Sequence, residues 1–368
     1  MNKNLFTPSF GNRPLQMIGR EEILRQIMEG LSAPAGSRER ALLLIGQRGI
    51  GKTVLLLEIA ERARKMNYIV ASPTVVMPGM LERILEKVEK DAERSGIHVH
   101  REVTGGTIGA FGFSAGISLS ENHREDRTFA YRLEEFCETI GRQDKGILIL
   151  VDEVVAGSPE LRQLIAAYQE MVGQKMNIAL IMAGLPGAVS ETLNDRVLTF
   201  LNRAQQYRIK ALEIEDILFY YRVAFREAGL LIDEEHRKVA AEKSAGSPYL
   251  MQLIGYYLVR NADPEGNVEN EAFQEAIRAA EGRFRQDICK ATIAPLSVRD
   301  MDFLMAMTQD HGNSRISDIA ARLKISDPNA QQYKRRLLDA GVIETVRRGI
   351  FRFAVPYLRE YLEEENMD

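Results

Sequence analysis

"ALLLIGQRGIGKTVLLLEIAERA", residues 41–63, sets five apolar residues against three glycines in six positions, a lysine, a threonine and a second apolar run. Leu42 to Ile45 reads as a short buried strand, and Lys52 to Met66 carries apolar residues at helical spacing. Between them, Gly46-Gln47-Arg48-Gly49-Ile50-Gly51-Lys52-Thr53 fits G-x-x-x-x-G-K-[ST]. In such a loop, successive backbone N–H groups turn inward around an anion, and glycine adopts the required angles without a Cβ clash. The helix beginning at Lys52 aims its positive end at the same point. The pattern is that of a polyphosphate cradle running from Gly46 to Val54. Lys52 is expected at the β/γ-phosphates and the Thr53 hydroxyl at Mg²⁺.

A second motif supplies acid. "ILILVDEV" places Asp152 and Glu153 at the tip of an apolar strand. In P-loop proteins an Asp there holds Mg²⁺ and the next Glu can polarise an attacking water. Thr53 and Asp152 are therefore the candidate metal residues, and Lys52 and Glu153 candidate catalytic residues.

Outward from these motifs the chain alternates. Helices are expected over 18–31, 78–95, 128–140 and 159–172, and strands over 68–71, 145–154 and 177–186. That alternation predicts an α/β fold: a P-loop parallel sheet with helices on both faces. Residues 97–120, rich in glycine and β-formers, read as an inserted hairpin. His98 and His100 within it read as a solvated strand face. After about residue 211 the strands stop and several helices follow. The predicted domains are 1–211 (α/β), 212–290 (helical) and 291–368 (a winged helix-turn-helix).

Composition narrows the class. The 368 residues are 45% hydrophobic and 27% charged with net charge −4, so any nucleic-acid surface must be local. Cys137 and Cys289 are distant and form no CxxC, which argues against a disulfide framework and fits a reducing cytoplasm. The opening residues lack the apolar core of a signal peptide, and no stretch approaches a membrane span.

Strand, cradle, helix, "LILVDEV" and a helical segment follow the order of AAA+ and STAND-type ATPases, which this chain resembles over about residues 15–290. "IGREEIL" is similar to the box that lies against adenine and ribose in STAND, archaeal and origin-initiator ATPases, which implies nucleotide contact at Ile18, Gly19 and Arg20. "AGSPYLMQLIG" resembles the lid motif whose proline packs on the base, which implicates Pro248. In the stretch after the fourth strand the resemblance implies an arginine near the γ-phosphate. Arg203 is the first choice and Arg196 the second, acting within the chain or across to a neighbour. The implied cofactors are ATP or ADP with Mg²⁺. Two departures point to slow hydrolysis: Ala183 and Gly184 end the fourth strand where a polar sensor is usual, and the lid lacks its usual arginine.

At the C-terminus, "ISDIAARLKIS" and "DPNAQQYKRRLLDAGVIE" read as a helix-turn-helix, with Asp327 as N-cap, Pro328 at N1 and Gly341 at C′. Ala330, Tyr333, Leu337 and Leu338 share one face. Asn329, Gln332, Lys334, Arg335 and Arg336 are left outward, with Arg347 and Arg348 on the following hairpin. Asn and Gln can read adenine, Arg can read guanine, and a basic wing touches phosphate. The acids Asp300, Asp302, Asp310 and Asp318 are expected to lie mostly away from this face. The reading is an ATP-binding switch ATPase of low turnover whose winged helix engages duplex DNA. The alternative is a STAND-type signalling or assembly ATPase whose winged helix binds protein. A homo-oligomer is left open, and no membrane association is expected.

Overall fold

A run of apolar residues along a strand buries both of its faces, and the three central strands show this. β1 (Ala41–Ile45), β3 (Gly146–Asp152) and β4 (Ile178–Gly184) are buried at every position. The computed structural model describes residues 5–8, 16–99, 128–196 and 198–365. β2 (Tyr68–Val75) and β5 (Gln205–Arg208) complete a parallel sheet in the order β2-β3-β4-β1-β5. Alternate side chains serve opposite faces. Leu43, Ile149 and Leu180 pack beneath α3 (Met80–Arg94), α4 (Phe129–Gly141) and α5 (Pro159–Gly173). Leu42, Leu148 and Ile181 pack beneath α1 (Glu21–Ser32) and α2 (Lys52–Arg64). The inserted hairpin expected over 97–120 lies outside the described residues from 100 onward, and Ile97 to Val99 form no strand. A helix the periodicity did not reveal, α6 (Pro186–Leu193), follows β4 directly.

Beyond β5 the chain is helical: α7 (Ile214–Ala228), α8 (Glu234–Lys243), α9 (Pro248–Asn261) and α10 (Asn270–Phe284). The last continues through a π turn, Arg285–Cys289, into α11 (Lys290–Ile293). Then come α12 (Val298–Thr308), β6 (Ser314–Arg315), α13 (Ile316–Leu323), α14 (Asp327–Asp339), β7 (Ile343–Arg347), β8 (Ile350–Phe353) and α15 (Leu358–Glu365). The three short strands form an antiparallel sheet in the order β6-β8-β7. α14 starts one residue earlier than the capping pattern suggests, with Ser326 rather than Asp327 at the N-cap. One continuous apolar core joins these C-terminal elements to α7–α10. At the joint, the Tyr357 hydroxyl donates to Lys243 O at 2.7 Å and the Tyr357 ring meets Phe284 edge-on at 6.5 Å.

The chain's first described residues belong to the helical unit and not to the sheet domain, which corrects the expected boundary. Phe6 is buried among Tyr220, Tyr221 and Phe225, with ring centroids 5.6–6.2 Å apart. It packs on Gly255 of α9, where an added Cβ would lie 2.2 Å from the ring. Among the described residues no helix is long and apolar enough to cross a membrane. Removing a buried phenyl ring costs about 3 kcal/mol. Phe6→Ala should therefore loosen α7 and α9 selectively: hydrogen exchange should speed up there and stay unchanged in β1 and β3.

Candidate functional site

The cradle sits at the carboxyl edge of β1. Gly46 N–H donates to Gly184 O at 3.2 Å, fixing the loop's start to the end of β4. Gly49 (φ +74°) and Gly51 (φ +91°) occupy the left-handed region that side chains avoid. Gly51 is the N-cap of α2 and no side chain caps it, so the first-turn amides of Lys52, Thr53 and Val54 remain for a ligand. Gly46 is small for a different reason: a Cβ there would lie 2.8 Å from Ile50 and 3.3 Å from Ile209.

Lys52 reaches back over the loop and donates to Gly46 O and Gln47 O, both at 2.7 Å. Burial pushes its pKa down to about 8, with Arg48 adding to the shift and Asp152 and Glu153 opposing it. Asp152 ends β3, is buried, and accepts a 2.6 Å hydrogen bond from the Thr53 hydroxyl through Oδ2. Its Oδ1 accepts the Glu153 N–H at 3.0 Å. Glu153 is exposed and held at φ +53°, an uncommon conformation for a side-chain-bearing residue. A hydroxyl and a carboxylate at hydrogen-bond distance form a hard oxygen pair that suits Mg²⁺, which takes few protein ligands and keeps water and phosphate for the rest. No group of three or more His, Cys, Asp or Glu able to hold a metal occurs among the described residues.

The helical unit rests on the cradle. Pro248, first in α9 behind the N-cap Ser247, lies 3.8 Å from where a Cβ on Gly51 would stand. Ile288, in the π turn, lies 3.4 Å from the same position on Gly49. Ile288 carries no local signal, because it lies in a π turn, Arg285–Cys289, within an otherwise helical run. Tyr249 donates to Asp287 Oδ2 at 2.6 Å and so ties the start of α9 to that turn.

The "IGRE" segment lies at the joint between the two bodies. Gly19 (φ +61°) leaves no room for a Cβ, which would meet Asp216 and Leu212 at 3.0 Å. Ile18 joins the core of the helical unit. The buried guanidinium of Arg20 donates to Gly19 O (3.1 Å) and Lys210 O (2.6 Å), pinning the hinge by backbone carbonyls. Burial lowers its pKa, against Glu21 and Asp216.

Arg203 is placed away from its own cradle. It ends the short turn before β5, whose Gln205 is paired with Leu42 near the amino end of β1. It lines a surface cavity with Arg38, which precedes β1. The cradle leaves the other end of β1, about 13 Å along the strand. Arg203 therefore lies toward the end of β1 opposite its own cradle in this structure. Arg196, just past α6, is exposed. At the end of β4, Ala183 and Gly184 offer only backbone: Ala183 O accepts Val154 N–H and Gly184 O accepts Gly46 N–H.

The basic residues of α14 divide. Asn329, Gln332, Arg335 and Arg336 are exposed, as are Arg347 and Arg348 at the β7–β8 turn. Lys334 is half-buried with its ammonium 5.6 Å from the centre of the Phe351 ring. Arg336 stacks on Tyr333 and donates twice to Asp300 Oδ1, at 3.1 and 2.6 Å. Asp300 thus does not lie away from the basic helix; it neutralises one of its arginines from α12. The carboxyl end of α14 is itself covered. A Cβ on Gly187 of α6 would fall 2.5 Å from Asp339, and one on Gly341 would fall 3.5 Å from Gln47 and Pro186. This helix end therefore abuts both α6 and a residue of the cradle.

Residues 16–181 match the family described as AAA ATPase domain, and residues 286–362 match a Domain of unknown function (DUF8462). Among solved structures, the Walker-type ATPase paby2304 of Pyrococcus abyssi is 19% identical, with 98% of this chain and 99% of that chain covered and a TM-score of 0.69. The ORC2 protein of Aeropyrum pernix, in its ADPNP–ADP complexes, is 13% identical with 98% of each chain covered and a TM-score of 0.64. At these identities the likeness is one of fold. No curated protein matches the chain in sequence.

Lys52 offers a test by pH. With its pKa near 8 in the chain alone, phosphate oxygens beside Nζ raise it again, so triphosphate binding takes up a proton above pH 8. Affinity should fall by up to about tenfold per pH unit above that point. Calorimetry in buffers of different ionisation enthalpy at pH 9 reads the uptake directly. Its absence would mean that Lys52 does not face the phosphates.

Proposed function

We propose that the chain, whose residues 16–181 match an AAA ATPase domain, is an ATP-dependent switch whose C-terminal unit, a winged helix, engages duplex DNA according to nucleotide state. The observation that carries the coupling is the seam between α14 and the cradle: Gln47 belongs to the phosphate loop and touches the position of Gly341, while Asp339 is packed on Gly187. A change at the loop thereby reaches the helix proposed to read DNA without passing through the lid.

In this reading residues 212–290 act as the lid and 291–368 as the winged helix. Mg²⁺, when bound, neutralises phosphate charge. Lys52 and the first-turn amides of α2 bind the phosphates, Thr53 and Asp152 hold the metal, and Glu153 orients water. Pro248 and Ile18 border the base. The end of β4 brings no polar side chain to the phosphates, so turnover is slow and the bound state lasts. Arg203 acts only on a neighbouring copy. Asn329, Gln332 and Arg335 face the major groove, and Arg347 and Arg348 the backbone. A cytoplasmic location fits this role.

A second reading has its own support. Arg336 is neutralised by Asp300, Lys334 lies over Phe351, and the end of α14 is buried against α6. These features suit a STAND-type ATPase whose winged helix docks protein. Fluorescence anisotropy of a labelled random-sequence duplex, with ATP–Mg²⁺, ADP–Mg²⁺ and no nucleotide, separates the two. If Arg335, Arg347 and Arg348 each neutralise one phosphate, log K should fall with log[salt] at a slope of about −2.7. Arg335→Ala should lower that slope by about 0.9. Absence of binding at low salt would favour the protein-docking reading.

Two variants test the coupling. Lys52→Ala should abolish tight ATP binding, since phosphate stabilisation here is mostly positioning and charge. Gly187→Val should wedge α14 off α6, leave ATP binding intact and make duplex affinity the same in all three nucleotide states. Persistent nucleotide dependence in that variant would place the coupling elsewhere.

A further inference from the structure

The turn joining α7 to α8 borders an open surface depression of about 470 Å³ that none of the chemistry above uses. Three guanidinium groups line it: Arg222 and Arg226 from α7 and Arg237 from α8. Arg222 and Arg226 are four residues apart on one helix face, a spacing at which like charges destabilise the helix. In a chain of net charge −4 this convergence needs a reason.

Nearby acids offset it poorly. Arg222 meets Glu234 at 3.5 Å with both side chains largely in solvent. Asp233 also lines the cavity but gives both oxygens to His236: Oδ1 accepts its backbone N–H at 2.8 Å and Oδ2 lies 2.7 Å from Nδ1. The Arg226 guanidinium has no partner among the described residues. Arg237 donates from Nη2 to Ile232 O at 3.0 Å, and its buried Nε has no partner. The other walls are apolar: Phe225, Ile232 and Leu231, the last 64% exposed.

We propose that this cavity docks an acidic segment of a partner protein, in which carboxylates meet the arginines and an apolar side chain lies against Leu231 and Ile232. A guanidinium fork binds a carboxylate through two parallel N–H···O bonds, which supplies both strength and direction. The volume falls within the range of about 300–1,000 Å³ typical of ligand pockets. A nucleic-acid backbone would satisfy the arginines but leave Leu231 and Ile232 facing solvated sugar. A peptide of mixed acidic and apolar character uses both halves of the site. The cavity is on the α7–α8 turn, apart from α14 and from the cradle, so its occupation can be measured separately from ATP and duplex binding.

The test titrates the full chain against a short fluorescein-labelled peptide of Asp, Glu and Leu, with a single-stranded oligonucleotide as a second probe. Wild type should bind the peptide at low salt. Arg226→Glu and Arg222→Glu should each weaken it by about tenfold or more, with ATP affinity unchanged. Arg226→Gln should lie between. A peptide with amides for its acids, or Ser for its Leu, should bind more weakly. No peptide binding at low salt, or equal binding by wild type and both charge-reversed variants, overturns the proposal. It is also overturned if Arg226→Glu abolishes oligonucleotide binding while leaving peptide binding unaffected, because the cavity would then serve phosphodiesters.

Discussion

Everything in this molecule is arranged around a reversal of the chain between β1 and α2. β1 is buried on both faces, and α2 must pack back over the same sheet. The turn between them therefore has to be tight, and Gly49 and Gly51 make it so in a backbone region that side chains avoid. The missing Cβ atoms have a second consequence. Pro248 and Ile288 approach to ordinary contact distance of where those atoms would be, so the helical unit closes directly on the loop. One constraint thus shapes the anion cradle and seats the element that covers it.

The charges follow from the same geometry. Lys52 begins α2 and is carried inward, where burial lowers its pKa toward neutrality and loop carbonyls hold its ammonium. Thr53, one residue on, is brought against Asp152 at the end of β3. Because the sheet is parallel, β1, β3 and β4 all end at this edge, and loops at the carboxyl ends of parallel strands are where such folds bind ligands. The same parallelism sends Arg203, which precedes β5, to the opposite edge.

Helices α7–α10 and the C-terminal unit are one apolar body, and their joint is the π turn that carries Ile288. That body touches the sheet domain at the cradle glycines through Pro248 and Ile288, and at α6 and Gln47 through the end of α14. A ligand at the loop therefore meets two contacts with the same body.

The chain's local grammar determined a great deal. Apolar runs marked the buried strands, because a strand covered on both faces cannot alternate. The spacing of three glycines, a lysine and a threonine marked the cradle, because backbone angles and a helix terminus are local properties. The same holds for Asp152 at a strand tip and for the helices of the C-terminal unit. Partnerships between distant segments were decided by the tertiary structure alone. Arg336 looked outward by helical phase and is exposed, yet its partner Asp300, 36 residues away, was not legible. Arg20 read locally as part of the IGRE box, and the fold adds Lys210 O, far along the chain, as its hydrogen-bond acceptor. Phe6 gave no periodic signal because it is a single residue packed on Gly255. The seam of Gly187 with Asp339 involves two short helices whose own patterns say nothing of each other. Periodicity and turn chemistry are written in neighbours along the chain. Which side chain neutralises a charge, and which glycine admits another helix, depends on what the fold brings alongside.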